Sequence, residues 1–255
     1  MKRWYTVMFL TLVLGTLPAM TASGATLQEL ITQADSLYAE HQTQATLQVL
    51  QQAEAMDGND ADVLWRMARA YYDRGVMAPE KQKEAAFEQC EQYARKAVQA
   101  DPQNEKGHLW LAIGVGKVAL ERGGKEKVDL SREVKEQAEK AIQLNPNDYQ
   151  PYHVLARWNY EVATLSWVLK AAAKIVYGGL PPASVSESVT LFKKAIQLNP
   201  TEVNNHLQLA KVYIHEGDKA AARAQLQKAL SLPNKDIEDP DHKKEARKLL
   251  DKLGS

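Results

Sequence analysis

Residues 141–156 read AIQLNPNDYQPYHVLA, and residues 195–210 read AIQLNPTEVNNHLQLA. The two stretches share their first six residues, and each ends on alanine 15 residues after the alanine that opens it. The same interval of 15 separates Ala53 from Ala68 and Ala97 from Ala112. A fixed echo of this kind marks a repeat. Within each unit the opening alanine (Ala34, Ala68, Ala112, Ala156, Ala210) is followed by a closing one (Ala53, Ala97, Ala141, Ala195, Ala229) after 19, 29, 29, 39 and 19 residues. The junction is constant while the middle of the unit grows. That is the pattern of a helical solenoid, in which neighbouring units stack at close range and each hairpin is free to lengthen.

The last unit shows the hairpin most plainly. His206, Leu209, Ala210 and Tyr213 recur at spacings of three and four along a first helix, Gly217 and Asp218 break it, and Ala222, Leu226, Ala229 and Leu230 line a second helix that ends near Pro233. Its Leu, Ala and Tyr positions resemble a tetratricopeptide repeat, with His206 in place of the first signature tryptophan and Ala210 in place of the usual glycine. Alanines at the closest approach of two helices have a physical reason, since a larger side chain would hold the backbones apart. The fold class is therefore all-α, a tetratricopeptide-like superhelix of about five hairpins, with units at about 27–60, 61–104, 105–148, 149–202 and 203–236. Asp239 as N-cap, Pro240 and the stripe Ala246, Leu249, Leu250 and Leu253 add a capping helix over 239–253. Residues 26–255 thus form one solenoid domain.

Because the junction never varies, the extra residues of units two to four must lie between the two helices of each hairpin, on one edge of the solenoid. Unit two breaks at Gly75 and resumes near Pro79; unit three breaks at Gly123 and Gly124, with Asp129 or Ser131 available to cap the next helix. Unit four carries an apolar stretch from Val162 to Tyr177 that predicts a further helix. At helical spacing Leu165, Val168, Leu169, Ala172 and Ile175 form an apolar stripe, and Trp167, Lys170, Lys174 and Tyr177 form a basic and aromatic side. No acidic residue lies between Glu161 and Glu187. The stripe reads as a cover over the core. The basic side reads either as a solvated face or as an edge site where lysines meet an anionic group beside Trp167.

The amino terminus reads as a leader to be removed. Lys2 and Arg3 precede an apolar run of 13 residues from Tyr5 to Leu17, then Pro18 and small residues up to Ala25, so residues 1–25 have the form of a secretory signal peptide. The run falls short of the ~18 residues that span a bilayer, so no stable transmembrane segment remains after cleavage. An exported protein, periplasmic or secreted, is implied. Loss of Lys2 and Arg3 turns 32 basic against 32 acidic residues into 30 against 32, a balance that gives no pull toward nucleic acid. The single cysteine, Cys90, excludes an intramolecular disulfide and occupies a small-residue slot of its unit, as a buried thiol would.

Catalytic and metal chemistry find no pattern. The six histidines show no HExxH or paired ligand spacing, and His108 and His206 occupy the same repeat position, which implies packing. Gly114 and Gly116 lie in a helical pattern rather than after a strand, so they form no phosphate loop. No cofactor, metal or enzymatic activity is expected.

Beyond the repeat, the chain resembles the regulator of microtubule dynamics family over nearly all of its length after the leader. The resemblance is carried by LWRMARAYYD (Leu64 to Asp73), EQYARKAV (Glu91 to Val98), HLWLAI (His108 to Ile113), EQAEKAIQLNPND (Glu136 to Asp148) and the set Trp167, Lys174, Pro181 and Pro182. It implies an all-helical repeat superhelix, microtubule association in eukaryotic members, membrane tethering in some, and no catalytic residues. A cleaved leader would place this chain away from tubulin, as in an exported bacterial member.

The reading that follows is a non-catalytic scaffold that binds a peptide or protein segment on its concave surface. Arg66, Trp110, Lys117, Trp158 and Lys211 have the phase to line that surface, by analogy with the repeat class. Two alternatives stand beside it. One is a carrier of lipid or another apolar ligand using the 162–177 helix; the other is microtubule binding, if the amino terminus is no signal.

Overall fold

The structure, a computed structural model, describes residues 25–254. The leader expected at residues 1–25 lies outside the described residues except for Ala25. Among the described residues there are twelve α-helices and no strand. They run as antiparallel pairs: α1 (Leu27–Ala39) with α2 (Thr43–Met56), α3 (Ala61–Met77) with α4 (Glu80–Ala100), and α5 (Glu105–Glu121) with α6 (Gly124–Leu144). Then α7 (Tyr149–Thr164) pairs with α9 (Val185–Leu198) around an inserted α8 (Trp167–Tyr177). The pair α10 (Val203–Glu216) and α11 (Lys219–Ser231) follows, covered by α12 (Asp239–Gly254). The arrangement is a tetratricopeptide-like superhelix.

The junctions owe their constancy to a local hydrogen-bond code. The second helices of four units end at Asp57, Asp101, Asn145 and Asn199, whose backbone N–H groups donate to the carbonyls of the closing alanines Ala53, Ala97, Ala141 and Ala195. Each of these Asp or Asn side chains then accepts from the backbone N–H two residues on, at 2.8 to 3.2 Å. Three residues after each, Asp60, Asn104, Asp148 and Glu202 cap the next first helix through their side chains. A turn fixed at both ends in this way has no room for an inserted residue. All ten phase-marking alanines, from Ala34 to Ala229, are 0% exposed.

Helix approach is closest between α4 and α5. A Cβ built on Gly114 would lie 2.8 Å from the backbone N of Glu91 and 2.9 Å from its Cα, with the Cys90 sulfur at 3.2 Å. Only glycine fits there, and Cys90 is buried against it. His108 and His206 play one role twice. In each, Nδ1 meets a glutamine Oε1 (Gln137 at 2.6 Å, Gln225 at 2.7 Å) and Nε2 meets a proline carbonyl (Pro102 at 3.0 Å, Pro200 at 3.1 Å). Through Nε2 the ring ties its helix to the carbonyl of the preceding turn, and through Nδ1 to the side-chain amide of a glutamine on the second helix of its own pair.

The extra residues take two forms. In units two and three they lengthen the helices: α3 and α5 have 17 residues and α4 and α6 have 21, against 14 and 13 in α10 and α11. In unit four they build α8. Helix α6 begins at Gly124, with Gly123 as a cap that makes no side-chain bond, rather than at the Asp129 or Ser131 expected from capping chemistry. Helix α7 stops at Thr164, Ser166 caps α8 by accepting from Leu169 N, and Gly178 (φ +76°) and Gly179 (φ +87°) end it in a left-handed turn.

Candidate ligand chamber on the concave face

The first helices α3, α5 and α7 face the superhelix axis, and with α6 and α8 they enclose a chamber of about 610 Å³. Part of its wall is apolar: Val128 and Val134 on α6, Val162 on α7, Leu169 and Ala173 on α8, and Leu180 beyond it. Another part is polar, with the carboxylates of Asp73, Glu161, Glu202, Asp236 and Glu238 beside Lys117, Lys127, Arg157 and His153.

The polar part is closed by the chain's own carboxyl-terminal segment. Between α11 and α12 the chain crosses to the first units, where the Tyr72 hydroxyl donates to Glu238 Oε2 at 2.8 Å across 166 residues of sequence. Asp239, 1% exposed, holds this segment by accepting from the backbone N–H groups of Lys235 (2.7 Å) and Asp236 (2.9 Å). Glu238 N in turn donates to Asp236 Oδ1 at 3.0 Å. The superhelix is thereby bridged from α3 to the segment before α12.

Electrostatics divide the chamber's polar groups. The Asp73 carboxyl, 4% exposed, is pushed up to about 7 by burial, with Asp236 and Glu238 raising it further and Arg69 opposing them. Lys117 is pulled below the ordinary lysine range by burial, which Glu238 partly offsets. Its Nζ lies 5.0 Å from the Tyr72 ring centroid and 5.1 Å from that of Phe87, and among the described residues no carboxylate comes within 4.0 Å of it. Burial, with Arg157 adding to it, pushes His153 down to about 3, so its ring is neutral and bonded through Nδ1 to Asn205 Oδ1 at 2.6 Å. The chamber therefore presents a desolvated cation near a long apolar wall.

Of the residues singled out from the sequence, Trp110, Lys117 and Trp158 line this chamber, and Arg66 and Lys211 do not. Trp110 packs against Tyr72 with ring centroids 5.6 Å apart, and the Trp158 indole N–H donates to the Ser131 carbonyl at 2.7 Å; both are 5% exposed and form floor rather than protruding anchors. Arg66 instead donates to both carboxylate oxygens of Asp35, and Lys211 pairs with Glu245 at 2.8 Å. On α8, Trp167, Lys170 and Lys174 are exposed, and Lys170 Nζ donates to the open Ala163 carbonyl at 2.6 Å. Tyr177 is the last residue of α8. The α8 stripe expected to cover the core is split. Leu169 and Ala172 turn to the chamber, Ala173 is buried, and Val168 (53%) and Ile175 (82%) are open to solvent. The cause is that α8 packs against α6 alone, so one narrow strip of it finds a partner.

Asp73, His153 and Arg157 were not singled out from the sequence. Asp73 carried a readable signal, following the buried Met67 and Ala70 at helical spacing on an apolar face. His153 and Arg157 carried none, being polar residues on the first helix of a repeat.

A bridged superhelix of stacked hairpins around a chamber defines the class: a tetratricopeptide-like repeat protein. Solved structures agree on the fold. The thermophilic TPR protein TTC0263 of Thermus thermophilus aligns with a TM-score of 0.63 at 17% identity, over 87% of this chain and 99% of that one. The pilF protein of Pseudomonas aeruginosa aligns with a TM-score of 0.57 at 14% identity, over 89% and 91%. Sequence narrows the class. The family described as "Regulator of microtubule dynamics protein 1-3" matches residues 30–254, and the chain belongs to it. Regulator of microtubule dynamics protein 1 of Bos taurus is 33% identical over 227 residues, 88% of this chain and 71% of that protein; its Mus musculus counterpart is 31% identical over 235 residues, 91% and 76%.

Proposed function

We propose that this chain is a non-catalytic binding protein whose chamber holds a ligand with an apolar body and an anionic end, a lipid. The observation that carries this is the pairing of the apolar α6–α8 wall with Lys117, a half-buried amine beside the Tyr72 and Phe87 rings with no carboxylate among the described residues within 4.0 Å. A volume of about 610 Å³ lies within the ~300–1,000 Å³ typical of small-ligand sites. No metal or cofactor enters this reading, and nucleic acid is no part of it.

Native mass spectrometry of the protein purified from its own host tests the proposal. The expected result is a mass excess in the range of a phospholipid or fatty acid, reduced by Lys117→Met and abolished by Gly116→Leu. Gly116 opens into the chamber, where a Cβ would meet only Val134 at 3.7 Å. A ligand-free mass in every preparation would overturn it.

A peptide segment is the second reading, favoured by the concave surface of first helices that it would occupy. The names of the relatives supply a third reading, microtubule association, which requires the protein to meet tubulin. Export to the periplasm or the exterior is our proposal from Lys2, Arg3 and the apolar run that follows. Mapping the mature amino terminus tests it: a start near residue 26 supports export, and an intact Met1 restores the microtubule reading.

A further inference from the structure

Among the described residues eight large hydrophobic side chains are more than half exposed, and five of them sit on the eleven-residue helix α8: Trp167 (79%), Val168 (53%), Leu169 (57%), Ile175 (82%) and Val176 (63%). Leu169 opens on the chamber. Trp167, Val168 and Ile175 share the arc opposite the buried Ala173, with Lys174 at its border, and Val176 lies between Ala172 and Leu169 toward the chamber. Exposed apolar surface concentrated on so short an element marks a contact surface rather than ordinary scatter.

Charge decides what kind of contact. From residue 162 to 186 the chain carries two lysines and no acidic residue. The nearest acids on neighbouring elements are already engaged, Asp129 of α6 by Lys125 and Arg132, and Glu161 of α7 by Arg157. Protein interfaces are depleted in lysine, whereas helices that lie in a bilayer surface place Trp and aliphatic residues inward and lysines at the headgroup level. No described helix is long and apolar enough to cross a membrane.

We propose that the outer face of α8 docks on an anionic bilayer surface, Trp167, Val168 and Ile175 entering the acyl boundary while Lys170 and Lys174 meet lipid headgroups. Docking there sets the chamber wall formed by Leu169 and Ala172 beside the membrane. The inference is independent of what the chamber holds.

Flotation of the chain without residues 1–25, the leader expected to be removed, with vesicles of equimolar phosphatidylcholine and phosphatidylglycerol, against pure phosphatidylcholine, provides the test. Binding to the anionic vesicles is expected to exceed that to neutral ones by roughly an order of magnitude, the effect of two lysines near an anionic surface. Trp167→Ala with Ile175→Ser should lower binding at least about tenfold by removing apolar contact. Lys170→Glu with Lys174→Glu should erase the preference for anionic lipid. Met77→Ser, which removes an exposed apolar side chain on α3, should change nothing. A nitroxide-labelled lipid should quench Trp167, since Trp4 leaves with the leader and Trp65, Trp110 and Trp158 are buried. Equal recovery with both vesicle types, no recovery, or binding indifferent to the α8 variants would overturn the proposal. A chamber found loaded with lipid in a protein that does not float would overturn docking and leave the chamber reading intact.

Discussion

The junctions and the hairpin edge of this superhelix are built on opposite terms. At the junction the turn is fixed twice, by a helix-ending Asp or Asn that closes it and by a cap three residues later, and the alanines that flank it are 0% exposed. At the edge helices lengthen by several residues, a whole helix is inserted, and large hydrophobic side chains stand in solvent. Stability is concentrated where the spacing is invariant. The edge is free to change because little of the fold depends on it, and there the chamber finds its wall.

The contrast breaks most sharply at two glycines. Gly114→Val puts a branched side chain where a Cβ alone would meet the Glu91 backbone at 2.8 Å, so the α4–α5 contact must open. The expected loss is about 3 kcal/mol or more, read by urea unfolding. Gly123→Ala, at the edge in extended backbone with nothing within 4 Å, should stay within about 0.5 kcal/mol of the parent. Equal losses at both sites would remove the distinction between junction and edge.

Asp73 is a buried carboxyl on the concave face rather than at a junction, and its effect on stability depends on pH. Its folded value near 7 lies above the unfolded 3.8, so between those values the folded protein holds the extra proton and stability falls as pH rises. The penalty is complete above about 7 and absent below about 4. Asp73→Asn should therefore gain on the order of 2 kcal/mol at pH 8 and nothing at pH 4, measured as the difference in unfolding free energy from the parent. His153, held neutral with its folded value near 3, costs stability as pH falls below 6.5 and so slopes the other way. It is present in both proteins and cancels in the difference. A gain independent of pH would mean that Asp73 is not charged in the parent at pH 8.

A smaller effect is expected from the turns. Asn199→Ala removes the side-chain acceptor of Thr201 N while keeping the alanine contacts, and should cost about 1 kcal/mol in the same unfolding measurement. No loss would shift the constancy of the junction from its hydrogen bonds to its packing alone.

The difference between the two regions also explains what could be read from the sequence. The alanine interval was legible because everything that fixes it lies within a few residues along the chain: Asn145 to Asp148, Asn199 to Glu202. The pairings that took Arg66 and Lys211 away from the concave face join residues 31 and 34 positions apart, Arg66 to Asp35 and Lys211 to Glu245. They follow from how one unit sits on the next, which periodicity leaves open. The bridge from Tyr72 to Glu238 depends on superhelical pitch summed over four units, and no local pattern encodes a pitch. The α8 stripe was misjudged for a related reason. Amphipathicity shows that a helix has two faces, but only the neighbouring element decides which face is covered, and here α6 covers a strip around Ala173.

The smallest expected effect on stability tests that last point. Trp167 and Ile175 are 79% and 82% exposed, so removing them takes almost no apolar surface out of the folded protein that water does not already reach. Trp167→Ala with Ile175→Ser should therefore unfold within about 0.5 kcal/mol of the parent, in contrast to the loss at Gly114. If the pair instead costs about 2 kcal/mol or more, α8 covers the core in solution, its outer face is not available to a bilayer, and the edge belongs to the stabilising framework after all. A silent result, with membrane binding lost, would separate the surface that holds this superhelix together from the surface that it presents.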